Sequence, residues 1–242
     1  MHFSLEIGLK TNLESLPGIK DIYITLLPGE DYKEVALKAK ELVLKGFNPV
    51  PHFPARSIKN KEQLKDYVDR CKDGGTKQAL VIGGSAQPIG DFHSSFQILE
   101  TGFFNGMKIG IAGHPEGSPD ISDSDLEKAM IDKKPYADYI ITQWLMESQP
   151  IVDFVSKQTI PVHVGITGPM KISSLLKFAN IVGAKNSINF IKSNFGKALD
   201  LLKPNNPNVL VEKVKKVTNN FHIYTFGSLK ETIKWLEENN YV

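Results

Sequence analysis

The chain has 242 residues, 41% of them apolar and 23% charged, with a formal net charge of +2. That length buries a large core without crosslinks or metals, and so even a charge balance argues against a nucleic-acid-binding protein, which concentrates basic surface. The single cysteine, Cys71, excludes an internal disulfide and points to a reducing compartment.

Short apolar runs alternate with amphipathic segments along the chain. Strands are expected at residues 3–7, 21–25, 47–51, 78–82, 108–112, 139–142, 160–164 and 221–225. The third run is a poor sheet former on paper, because it contains Pro49 and Pro51. Helices are expected between them. Residues 31–44 come first, with Val35, Leu37, Ala39, Leu42 and Val43 on a broad apolar face. Residues 61–71, 94–104, 124–133 and 151–156 fill the next gaps. A long helical region over 172–202 breaks near Gly183, and 209–219 and 229–238 close the chain. Eight strand–helix units with no strand left over imply right-handed parallel crossovers. They favour a single-domain (β/α)8 barrel over residues 1–242 rather than an open sheet. No segment approaches the ~20 apolar residues of a membrane span. No basic stretch followed by an apolar run opens the chain, so no secretion signal is expected and a cytoplasmic location is the default.

In such a barrel the chemistry sits at the carboxyl ends of the strands. Those ends carry Glu6, Thr25, His52, the run Gly83, Gly84 and Ser85, then His114, Glu116 and Ser118. Thr142 with Gln143, His163 with Gly165, and Tyr224 with Thr225 complete the set. The mouth is polar but short of charge. Glu6 interrupts an apolar strand, and a buried carboxylate is costly unless paired, which marks it as a functional acid. Gly83 and Gly84 admit a close backbone approach, as a flavin or phosphate needs, but no G-x-G-x-x-G loop follows them. His114 and Glu116 lack a third ligand at metal-site spacing, so no metal is expected. Gln143, closing an apolar strand, is a neutral bidentate hydrogen bonder suited to a planar ligand.

The ordered set of motifs resembles the methylenetetrahydrofolate reductases. It comprises Phe3 to Glu6, Tyr23 to Thr25, Val50 to His52, Leu80 to Gly84, Ala112 to Pro119, Ala137 to Gln143, Gly165 to Thr167 and Phe221 to Thr225. The resemblance runs nearly end to end. It implies a barrel holding FAD at the strand ends. Hydride passes from NADH or NADPH through the flavin to 5,10-methylenetetrahydrofolate, giving 5-methyltetrahydrofolate for methionine biosynthesis. It implies Glu6 as general acid toward the folate, a role that needs the raised pKa of an apolar setting. Gln143 and Phe178 would bind the folate, with Ser85 beside it. Thr25, His52, Gly83, Gly84, Ser94, His114, Ser118 and Asp125 would meet the FAD. The resemblance also implies a homo-oligomer. Two departures stand out. Gly83, Gly84 and Ser85 replace the family's Arg-Gly-Asp, and Asp132 replaces a lysine that meets the FAD phosphates. They keep open an FAD-independent folate enzyme moving a hydride or one-carbon group directly, with Arg56 and Lys59 meeting a substrate acid. They also leave room for a non-catalytic folate-binding accessory subunit.

Overall fold

The computed structural model describes residues 1–14, 16, 18–118, 121–182, 185–194 and 204–242. Eight parallel strands close into a barrel in sequence order. They are β1 (His2–Ile7), β2 (Asp21–Ile24), β3 (Asn48–Pro54), β4 (Gln78–Ile82), β5 (Lys108–Gly113), β6 (Tyr139–Trp144), β7 (Val162–Thr167) and β8 (Asn220–Tyr224). The helices are α1 (Tyr32–Leu44), α2 (Lys61–Asp73), α3 (Ser95–Leu99), α4 (Asp123–Lys133), α5 (Ser148–Ser156), α6 (Ile172–Val182), α7 (Lys185–Asn194), α8 (Asn208–Val214) and α9 (Leu229–Glu238). The expected (β/α)8 class is therefore the observed one. The expected break at Gly183 and the helical end at Leu202 lie outside the described residues. No helix among the described residues is long and apolar enough to cross a membrane.

The proline-rich strand is the main surprise. β3 is longer than expected and central, pairing with both β2 and β4. Successive residues of a parallel strand bond to alternate neighbours, so Pro49 and Pro51 lose their donors on the same side. The Asn48 amide donates toward the β2 side, to Lys20 O at 2.8 Å, which sets the parity. The missing donors therefore face β4, and that ladder starts only at His52 opposite Leu80. The prolines thus remove hydrogen bonds that the register does not use. The consequence for the site is direct, because His52 lies inside a strand rather than in the loop after it.

Helix ends follow their capping chemistry. Asp31 Oδ1 accepts from the Lys33 amide at 2.9 Å and starts α1. Asn60 Oδ1 accepts from the Gln63 amide at 2.9 Å and starts α2. Ser94 and Gln97 form a capping box on α3. That helix is five residues long, shorter than expected, and ends well before Phe104.

The chain divides into two compact units. The first comprises residues 1–3, 113–128 and 141–242, the second residues 4–112 and 129–140. In the second unit, Val35, Ala39 and Leu42 of α1 and Leu64, Val68 and Cys71 of α2 are fully buried. Each such valine or leucine side chain contributes roughly 1.5–3 kcal/mol from burial. Burial also pushes the Cys71 thiol up to about 12, which fits an inert structural residue. In the first unit, Phe3 stacks on Phe221 at 5.3 Å and meets Trp235 edge-on at 6.1 Å. Trp144, Met170, Ile172, Leu175 and Ile191 form a second apolar cluster there.

Candidate active site

Glu6 is the second-last residue of β1, and its side chain is 14% exposed. Its Oε2 lies 3.5 Å from His52 Nε2 on β3. β1 and β3 are not neighbours in the sheet, so this contact crosses β2 on the inner face of the barrel. Alternate strands contributing one interior layer is the usual packing of this architecture. Burial raises the Glu6 pKa from its ordinary value, and the charge of His52 pulls it partly back. The site therefore sets a carboxyl and an imidazole side by side in a buried setting. Thr25 follows β2, and its amide donates to Ile7 O at 3.0 Å, next to Glu6 in the chain.

Tyr23 and Tyr139 complete this interior. The Tyr23 hydroxyl donates to the Tyr139 hydroxyl at 3.0 Å. The Tyr23 ring sits edge-on to His52 with centroids 6.2 Å apart. Gly110 on β5 makes room for Tyr139, since a Cβ there would fall 2.6 Å from the ring. Both tyrosines lie within the motifs, but neither is given a role there. Strand alternation points to Tyr23, which shares a face with Thr25 two residues on.

The loop after β4 is pinned from the 3-10 turn Ala55–Ser57 that follows β3. The Arg56 amide donates to Gly83 O at 3.0 Å, and Arg56 Nε donates to His93 O at 3.2 Å. Gly84 has φ +84, and a Cβ on it would come within 3.2 Å of Pro54. Gly83 has open space at the same test. Ser85 is exposed. Ser94 is exposed as well, and its amide and side chain are used in capping α3.

The other expected residues lie in the other unit. His114 and Ser118 are half-buried in the turn after β5, where the Gly117 amide donates to His114 O at 3.1 Å. Asp125 is exposed in the first turn of α4, and its Oδ2 accepts from the Ser122 hydroxyl at 2.7 Å. Gln143 on β6 has its Oε1 buried with no hydrogen-bond partner among the described residues. Phe178 of α6 stacks on Phe226 at 4.3 Å, and Phe226 stacks in turn on Tyr224 at 5.7 Å. The Tyr224 hydroxyl donates to Thr142 O at 2.9 Å. His163 falls at the start of β7, with its ring 5.6 Å from that of His2 at the start of β1. It sits at the amino ends of the strands, not at the mouth. Among the described residues, no group of three or more His, Cys, Asp or Glu side chains comes together as a metal site.

No family model matches the chain. Solved structures match it along nearly its whole length. A 2,3-dimethylmalate lyase of the PEP mutase/isocitrate lyase superfamily shares 6% identity, with 98% of this chain and 80% of that chain covered and a TM-score of 0.56. A mutant tryptophan synthase alpha-subunit from Pyrococcus furiosus shares 12% identity, with 98% and 95% covered and a TM-score of 0.54. A candidate phosphonomutase from Burkholderia cenocepacia J2315 shares 9% identity, with 98% and 93% covered and a TM-score of 0.54. Likeness at such identity establishes the barrel.

These structures are a lyase, a synthase subunit and a mutase, and none is a methylenetetrahydrofolate reductase. The expected family membership, the oxidoreductase activity, and the FAD and NADH or NADPH that went with it are overturned by this finding, and with them the folate chemistry. The residues give a physical reason. Gly83, Gly84 and Ser85 supply no charge where the resemblance needs an arginine and an aspartate against the flavin. Asp132 would repel the phosphates that a lysine should hold. The adjacent Lys133 is buried, which pushes its pKa down to about 8 and weakens it as a phosphate clamp. One face of Phe178 is covered by Phe226 and is closed to a folate or nicotinamide ring.

Proposed function

We propose that the chain is a barrel enzyme that performs general acid–base chemistry on a small organic molecule, in a reaction of the lyase or mutase type. Glu6 is the acid, and His52 is the base that exchanges a proton with it. The observation that carries this reading is the buried Glu6 carboxyl, with its raised pKa, 3.5 Å from His52 Nε2. Breaking a carbon–carbon bond beside a hydroxyl needs a base to take the hydroxyl proton and an acid to protonate the carbanion that leaves. A carboxyl whose pKa is raised by burial, set beside an imidazole, brings a proton donor and a proton acceptor to one place. The lyase and mutase among the structural neighbours support the reaction class. Thr25, Gly83, Gly84 and Ser85 belong to the same unit as Glu6 and are our choice for substrate contacts. We take residues 1–242 as one catalytic domain acting in the cytoplasm. The net charge of +2 and the buried Cys71 fit a small-molecule substrate and a reducing compartment.

Two measurements test the proposal. Infrared difference spectra between wild type and Glu6→Gln read the protonation of Glu6 without any substrate. A protonated-carboxyl band near neutral pH, lost in the variant, is expected, and its absence from wild type sinks the role of Glu6 as acid. Incubation in D2O with 2,3-dimethylmalate, isocitrate and phosphoenolpyruvate, followed by proton NMR, reads cleavage or deuterium uptake. Glu6→Gln is expected to slow either by about 10²–10⁴-fold, the usual contribution of a positioned general acid.

A further inference from the structure

A cavity of about 510 Å3 opens between the ends of β6 and β7 and the helices α5 and α8. All of its lining residues belong to one unit, and Glu6 and His52 are not among them. Its volume falls within the ~300–1,000 Å3 of small-molecule sites. Met146, Ile166, Pro207 and Leu210 make its lining largely apolar. Ile166 and Pro207 are buried, while Met146 and Leu210 are half-buried, so the wall is built from the core and is not a surface dimple.

Two opposite charges share that lining, Glu147 and Lys213. Neither has an ion-pair partner among the described residues, and they do not bridge to each other. Glu147 stands at the N-cap of α5 without making a capping bond, so its carboxylate is not committed to the helix. Elsewhere on this chain, cations and anions at helix spacing do pair, as Lys215 does with Glu212 beside Lys213. An apolar hollow with one uncommitted anion and one uncommitted cation is complementary to a ligand carrying both charges on an apolar body.

We propose that this cavity binds a free α-amino acid with an apolar side chain of about leucine or methionine size. Its carboxylate faces Lys213, its ammonium faces Glu147, and its side chain lies against Met146, Ile166 and Leu210. The volume leaves room for ordered water around the charged groups. Because neither Glu6 nor His52 lines the cavity, the proposal does not rest on the acid–base reading.

Calorimetric titration of the full chain tests it with four probes. They are L-leucine, L-methionine, isocaproate (leucine without its ammonium) and isoamylamine (leucine without its carboxylate). Saturable binding of both amino acids is expected, with each truncated probe weaker than leucine by about tenfold, as for a lost charge-assisted contact. Lys213→Gln should erase the preference for leucine over isoamylamine, and Glu147→Gln the preference over isocaproate. Both side chains are at least partly exposed, so neither change should shift the unfolding temperature. Glu6→Gln should bind leucine normally, which separates this site from the catalytic proposal. No saturable binding of either amino acid overturns the inference. So does equal binding of leucine and its truncated analogues, or a preference that survives both substitutions.

Discussion

The set of residues on and beside β1 to β4 and the set on and beside β6 to β8 come together in different ways. The first carries a carboxyl, an imidazole and a tyrosine within contact range of one another. The second carries a column of stacked rings, Phe178 on Phe226 on Tyr224, with Trp144 edge-on to Phe226 at 6.1 Å. A buried carboxyl must be paired, hydrogen-bonded or neutralised by a proton, and stacked rings need none of these. The difference teaches where acid–base work belongs. On the reading proposed above, that work falls to the polar half. The loss of activity expected for Glu6→Gln is the largest effect in this comparison, and a matching loss in a Phe178→Ala variant would break it.

The next effect in size concerns a group that the aromatic half keeps neutral. His222 on β8 is fully buried beside Tyr224, and burial pushes its pKa down from 6.5 to about 3. The unfolded chain therefore binds a proton below pH 6.5 that the folded chain refuses. The stability from this residue is complete above 6.5 and is lost as pH falls toward about 3, by up to several kcal/mol. Glu6 works in the opposite sense. Its raised pKa favours the folded state at low pH, and that advantage fades as pH rises through its folded value. Urea unfolding from pH 7 down to pH 4 on wild type and His222→Phe separates the two. The variant should keep much more of its stability at the acid end. Parallel curves would mean that His222 is charged when folded.

Gly110 tests the polar half by packing. Its added Cβ in Gly110→Ala would sit 2.6 Å from the Tyr139 ring and force it away from the Tyr23 hydroxyl. Overpacking of this kind costs about 1–3 kcal/mol. Urea unfolding should show that loss at unchanged slope, and pairing the change with Tyr139→Ala should recover part of it. An unchanged midpoint in Gly110→Ala would mean that Tyr139 does not fill the space beside Gly110.

The barrel was legible in the sequence, and the site only partly. Alternating runs of strand and helix period gave all eight strands because each is either buried on both faces or bounded by a turn. β3 resisted, since the parity of Pro49 and Pro51 relative to its two neighbours is a property of register and not of composition. Glu6 and His52 were visible as polar residues in apolar runs, but their pairing was not. A contact across β2 depends on which face each strand turns inward. The family resemblance failed for a related reason. Short motifs at strand ends, such as Gly83, Gly84 and Ser85, report where a barrel can bind, and the charges at those positions decide what it binds. The Phe178 stack was hidden because Phe226 lies 48 residues further on, in the turn after β8.

That turn supplies the smallest effect and the sharpest test of the aromatic half. Phe226 has φ +44, in the left-handed region that non-glycine residues enter at a cost of roughly 1–2 kcal/mol. The residue is held there by stacking on two rings, at 4.3 Å and 5.7 Å. Phe226→Ala and Phe226→Gly both delete the ring, but only glycine relieves the backbone. The glycine variant should therefore be the more stable of the two by about 1 kcal/mol, against the usual order of the two residues. Thermal and urea unfolding of the pair measure the difference directly. A glycine variant less stable than the alanine variant would mean that the turn relaxes once the ring is gone. The strain would then belong to the stack itself, imposed by Phe178 and Tyr224, and not to the chain's path from β8 into α9.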